Sequence, residues 1–217
     1  TRFEGAGRLI MLIWARFIIL ALAVALLTPA CSDSGDAGAG DSLTPEEIAD
    51  LQYMREEEKL ARDVYLVLYS EWGSQVFSNI ASSEQTHTDA VASTIERLGV
   101  EDPVEDDTIG VFVDPRLAEL YEQMVDEGLE SPVDALHVGA TIEEVDMVDI
   151  QAAIDRAETP PTTGLSESLP CGPRNPLRPF TAELENAGQP YEAQFLDPAT
   201  VEAIVSSPRE QCGTIGG

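Results

Sequence analysis

IASSEQTHTDAV, Ile80 to Val91, decides how the chain is to be read. At helical spacing its inward stripe runs Phe77, Ile80, Glu84, His87, Val91, Ile95 and Leu98, so a carboxylate and an imidazole sit side by side where a core helix carries apolar residues. The helix before it repeats the anomaly. Its stripe is Leu51, Met54, Glu58, Ala61, Tyr65, Leu68 and Trp72, with one acid among apolar positions. A later helix does so again: Leu136, Ala140, Glu143, Met147, Ile150 and Ile154, with Asp146 one turn from Glu143 on nearly the same face.

Burying a bare carboxylate costs several kcal/mol, so acids gathered at one level of a helical core need a positive partner. A metal ion supplies it. Glu84-x-x-His87, with Glu58 and Glu143 from facing helices, has the composition of a carboxylate-bridged di-iron ligand set. Asp146 is a further candidate ligand. Glu57 is the alternative to Glu58, because two of the three acids in "REEEK" are expected to face water, and Glu144 is the flanking alternative to Glu143. Tyr65 and Trp72 read as core aromatics, and His137 as an ordinary packed or surface histidine.

The chain outward from these stripes is punctuated for helices and lacks strand signals beyond a weak "IGVFV" read as loop or edge. Thr44-Pro45-Glu46-Glu47 starts the first helix, which runs unbroken to Trp72. Gly73-Ser74 separates it from the second, which ends before Gly99. A shorter helix spans Pro115 to Glu127, a long one opens at Ser131-Pro132 and runs to about Glu158, another starts at Asn175-Pro176, and a last short one follows Asp197-Pro198. The fold class expected is all-α.

The 217 residues hold 12 Lys and Arg against 40 Asp and Glu, a net charge of -28 that repels phosphate backbones and argues against nucleic acid as a partner. Residues 1–31 differ in kind: Arg8 and Arg16 precede the apolar run Phe17 to Leu27, which is followed by "TPACSDSG". That is the layout of a secretory signal, too short for the roughly 20 apolar residues of a spanning helix. It resembles a lipoprotein signal with Cys31 as the lipidated residue; cleavage after Ala30 is the competing reading, and Met11 offers the start of a shorter signal. Residues 32–43 read as a flexible linker and 44–217 as the folded domain. The expected location is outside the cytoplasm, in a periplasm or at the cell surface, with the membrane reached only through the signal or lipid anchor. There Cys171 and Cys212 can pair and pin the C-terminal tail.

Three stretches, "LQYMREEEKLARDVYLVLYSEWGSQVFSNIASSEQTHTDAV", "VGATIEEVDMVDI" and "RNPLRPF", resemble successive blocks of the ferritin-like family catalogued as domain of unknown function 2202, over roughly Leu43 to Ser206. The resemblance implies a ferritin-like four-helix bundle, with an extra short helix and a C-terminal tail. The Glu58, Ala61, Tyr65 spacing is also similar to the first ligand helix of ferritins and rubrerythrins. By that similarity Glu58 would be a terminal or bridging ligand, Glu84 a bridging one, His87 a terminal nitrogen ligand and Glu143 the carboxylate of the third ligand helix. The chain departs from the family's Asn-His-Leu-Arg block: Pro176 stands where the His would be, which leaves a second iron to Glu143, Asp146 and Glu144 or Glu57. The function this implies is an exported non-haem iron protein, mono- or dinuclear, oxidising Fe(II) with oxygen or peroxide in ferroxidase- or peroxidase-like chemistry. Another divalent metal suits the same ligands. The alternatives are a non-catalytic metal-sequestering lipoprotein with a degenerate site, and a structural domain whose acids are all solvated.

Overall fold

A computed structural model describes residues 43–158 and 171–211, with the backbone alone at Cys171. Six helices occupy the described residues, and no strand is present among them. α1 is Pro45–Trp72, α2 Gln75–Leu98, α3 Pro115–Gly128, α4 Pro132–Arg156, α5 Cys171–Asn186 and α6 Pro198–Ser206. The signal segment, Cys31, Cys212 and most of the linker lie outside the described residues.

The helix ends follow from local chemistry. Thr44 and Glu47 form a reciprocal capping box: the Thr44 amide donates to the Glu47 carboxylate at 2.8 Å, and the Glu47 amide donates to the Thr44 hydroxyl at 3.2 Å. At the other end Gly73 takes φ of +66°, which lets its N–H reach the Tyr69 carbonyl at 2.8 Å and stops α1 before Ser74 opens α2. Asp114, Ser131 and Asp197 cap α3, α4 and α6 with side-chain oxygens, each ahead of a proline in the first turn. α4 stops at Arg156, just short of Glu158. α3 runs one residue further than expected because Gly128 is needed there: a Cβ on it would lie 2.6 Å from Leu68 Cδ2, and its carbonyl accepts the Trp72 indole N–H at 2.9 Å.

α5 begins at Cys171 rather than at Asn175-Pro176, and continues through Pro176 and Pro179. Each internal proline removes a helix hydrogen bond. The compensation is tertiary, since Leu177, Phe180 and Leu184 on one face are wholly buried, and the Arg178 guanidinium donates to the Arg174 carbonyl within the same stretch.

α1 packs against α2, α3 and α4; α4 packs against α3 and α5; α5 packs against α2 and α6. α1, α2, α5 and α4 therefore close a ring. One apolar layer inside it is Leu51, Met54, Val91, Ile95 and Ile150. Another is aromatic: the Tyr65 ring centroid lies 6.3 Å from Phe77 and 5.4 Å from Phe180. Glu58, Glu84, Glu143 and Asp146 fall between these layers along their helices. α4 and α5 approach closely at Gly139, where a Cβ would lie 2.5 Å from the Phe180 ring.

One expectation is corrected on α1. No acid of "REEEK" faces water: Glu56, Glu57, Glu58 and Lys59 are all buried. The reason is that residues 102–114 wrap the side of α1 left open by its helical neighbours. Glu56 accepts the amides of Val113 and Asp114, at 2.5 and 3.0 Å. Lys59 donates to Asp63 at 2.6 Å and to the Thr108 carbonyl at 2.9 Å, with its ammonium 4.5 Å from the Phe112 ring centroid. Asp63 also accepts the Gly110 amide at 3.0 Å, and Arg62 spans Asp63, Gln85 and Asp107. Glu56, Lys59, Arg62 and Asp63 persist in the interior because each finds a partner of opposite sign or an oriented amide. "IGVFV" is part of this wrap and is loop.

Candidate metal centre

Glu58 reaches the interior from α1, and Glu84 and His87 from one face of α2. His87 Nδ1 lies 2.8 Å from Glu84 Oε2 and 3.4 Å from Glu58 Oε2. One ligand atom from each of the three lies within 4.8 Å of the others, the separation that a shared cation spans. Glu58 and Glu84 are each 2 % exposed. α5 closes the outer side of the imidazole at Gly172, where a Cβ would lie 3.0 Å from His87 Cε1.

α4 carries Glu143 and Asp146, both buried and near enough to feel the Glu84 charge, but outside that three-residue group. Glu143 Oε1 accepts the Tyr65 hydroxyl at 2.5 Å, and that hydroxyl also lies 3.3 Å from the Gly139 carbonyl. Burial and the charge of Glu84 push Glu143 well above the usual carboxylate range, although Tyr65 pulls the other way. Burial, then Glu58 and Glu84, raise Asp146 as well. Burial likewise lifts Glu84 to about 7, with His87 offsetting part of the effect. Burial alone would depress His87; the Glu58 and Glu84 carboxylates outweigh it and push the imidazole up to about 12. In every case the folded protein holds protons where a cation could sit.

The donor set fits a divalent metal. Glu58 Oε2, Glu84 Oε1 and Asp146 Oδ1 are buried and accept no hydrogen bond, as does the neighbouring Glu57 Oε1. Orphaned buried carboxylate oxygens are costly, and several in one place are the mark of a missing positive charge. Carboxylate oxygens with one imidazole nitrogen suit iron, manganese or zinc.

The remaining candidates separate cleanly. Glu144 points away from the centre: its Oε2 accepts the amides of Gln194 and Phe195 at 2.7 and 2.9 Å and the Tyr191 hydroxyl at 3.2 Å, which anchors the segment leading to α6. His137 packs beside Tyr191, ring centroids 6.0 Å apart. Pro176 is buried on α5 and offers no donor. Glu57 lies beside Asp149, and burial, then the charges of Asp149 and Asp146, push its carboxyl well above the usual range. Sequence reasoning passes over Asp149, although its i, i+3 spacing from Asp146 was an available signal.

Residues 47–208 match the family described as an uncharacterized protein domain, DUF2202. The chain is 46 % identical over 169 residues to the uncharacterized protein MJ0754 of Methanocaldococcus jannaschii, covering 78 % of this chain and 91 % of that protein. The crystal structure of the hypothetical protein MJ0754 from Methanococcus jannaschii superimposes with a TM-score of 0.76 at 44 % identity, covering 81 % of this chain and all (100 %) of that one. The chain thus belongs to the DUF2202 family.

Proposed function

We propose that the chain is a ferritin-like iron protein, in which α1, α2, α4 and α5 form the four-helix bundle, α3 is the added short helix, and Glu58, Glu84, His87, Glu143 and Asp146 hold a non-haem iron centre. The ring of helix contacts supports the bundle reading. The observation that carries the metal reading is the set of buried oxygens on Glu58, Glu84 and Asp146 that accept no hydrogen bond. Iron held there would supply redox chemistry with oxygen or peroxide, in a ferroxidase- or peroxidase-like reaction. The chain's own part is to bind and orient. His87 presents Nδ1 toward the carboxylates, Tyr65 fixes one oxygen of Glu143, and the two apolar layers exclude water. The N-terminal signal layout supports export and an anchor at Cys31.

Buried Pro176 in place of the family's histidine favours a second reading, a non-catalytic protein that sequesters one divalent ion. Metal content and oxygen uptake of the purified protein, with Glu84→Ala and His87→Ala, decide between them. Two irons per chain with turnover support the oxidase, and one tightly held ion without turnover supports the sequestering protein. Absence of bound metal in the unaltered chain sinks both.

A further inference from the structure

Glu57 and Asp149 play no part in the ligand set, yet they extend its carboxylates to the surface. Asp149 is half-buried on α4 and lies beside Glu57 of α1, close enough for each carboxylate to feel the other's charge. Glu57 is buried, and its Oε1 accepts no hydrogen bond. It borders, with Glu58 and Asp146, a small and mostly apolar cavity of 10 Å³, about one water in size, that Leu120 and Met124 also line. Asp146 Oδ1 is also buried without a hydrogen bond. Outside, the Tyr53 hydroxyl lies 3.5 Å from Asp149 Oδ2, and the Arg116 guanidinium lies 5.3 Å from the centroid of the Tyr53 ring. The cations at this mouth are engaged by acids of their own, Arg116 by Asp114 at 2.5 Å and Arg156 by Asp50 at 2.8 Å.

Among the described residues the Leu51 layer and the Tyr65 layer cover the two ends, the chain at Gln194 and Phe195 covers the outer face of α4 at Glu144, and on the side of His87, which keeps 12 % exposure, Gly172 lies against the ring and no further carboxylate leads inward. A hydrated divalent cation crosses apolar surface at prohibitive cost, so a line of oxygen ligands is the passage it can use. We propose that Asp149 and Glu57 form the inlet by which a divalent cation reaches the Glu58, Glu84 and His87 centre, with Tyr53 and Arg116 as its outer cover. This rests on the metal-centre reading above.

An inlet alters the speed of exchange and leaves the equilibrium alone, whereas a ligand alters the equilibrium. Anaerobic stopped-flow mixing of the full chain with Co(II), followed by its absorption bands and by chelator-driven release, separates the two. In Asp149→Asn and Glu57→Gln both uptake and release should slow by about tenfold, at unchanged stoichiometry and Kd. Arg116→Glu, at an exposed position, should speed uptake and make it more sensitive to salt. Unchanged rates in Asp149→Asn, or a weakened Kd with uptake as fast as before, would overturn the inlet. Should the inward variants not fold, an unchanged uptake rate in Arg116→Glu would overturn it too. The metal-centre reading fails by a different sign, no Co(II) bound by the unaltered chain, which removes the inlet with it.

Discussion

Glu143 and Glu144 are adjacent in the chain and serve opposite sides of α4. Glu143 meets the Tyr65 hydroxyl inside the ring of helices, while Glu144 meets the amides of Gln194 and Phe195 outside it. Their variants should therefore fail differently. Glu143→Gln should lower metal affinity roughly 10–100-fold with the fold intact. Glu144→Ala, which strands two amides and the Tyr191 hydroxyl, should cost about 1–3 kcal/mol of stability and leave affinity near normal. Urea denaturation and metal competition titrations, run on both variants, check the separation.

The metal-free protein should lose stability as pH rises through neutrality. Glu84 goes from 4.5 unfolded to about 7 folded, so the folded state holds the extra proton in that window and stability falls as pH climbs through it. His87, raised from 6.5 to about 12, contributes stability that is complete below 6.5 and lost as pH climbs toward 12. Glu143 and Asp146, raised by burial and neighbouring carboxylates, act in the same direction. Thermal melts between pH 5 and 9 in chelator should show the decline, and added divalent metal should flatten it by replacing the protons. A metal-free melting temperature that rises across that range would contradict these assignments.

Gly139→Ala should destabilise the protein by about 1–3 kcal/mol. The new methyl would meet the Phe180 ring at 2.5 Å, and the ring is held by Tyr65 and Phe77 on its other sides. The same change at Gly99, where nothing lies within 4 Å, strains only a positive-φ backbone. Denaturation midpoints and the near-ultraviolet circular dichroism of the aromatic layer distinguish the two.

Lys59→Met keeps the length of the side chain and removes its charge. It should cost about 3 kcal/mol, the lower end of the range for breaking a buried pair, because Asp63 keeps Arg62 and the Gly110 amide. Lys59→Arg should not restore the loss, since a planar guanidinium does not fit beneath Phe112 while reaching both Asp63 and the Thr108 carbonyl. Chemical denaturation of the two variants provides the measurement.

Much of this structure is legible in the residues. Thr44, Ser131 and Asp197 announce helix starts, Gly73 and Gly99 announce stops, and the stripes of α1 and α2 carry Glu58, Glu84 and His87, whose ligand atoms lie within 4.8 Å of one another. What escapes such reading is what depends on distant chain. A stripe argument assumes one dry face and one wet face, and α1 has no wet face over "REEEK" because residues 102–114 cover it. Glu144 looks like a flank residue until the segment at Gln194 arrives to use it. Asp149 stands off the stripe of α4 and gains meaning only through its contact with Glu57. The prolines of α5 mark a boundary by local rules, and burial of Leu177, Phe180 and Leu184 overrides them.

α1 leaves the ribosome before every other described helix, bearing Arg55, Glu56, Glu57, Glu58, Lys59, Arg62 and Asp63, of which Lys59 and Arg62 reach Asp63 within the helix while the others depend on later chain. α2 supplies Thr88 to Arg55 and Gln85 to Arg62, and residues 102–114 then supply the amides for Glu56 and the Thr108 carbonyl for Lys59. The α1–α2 hairpin is therefore incomplete by itself: a chain cut off before residue 108 would leave Glu56 without its amides and Lys59 without the Thr108 carbonyl.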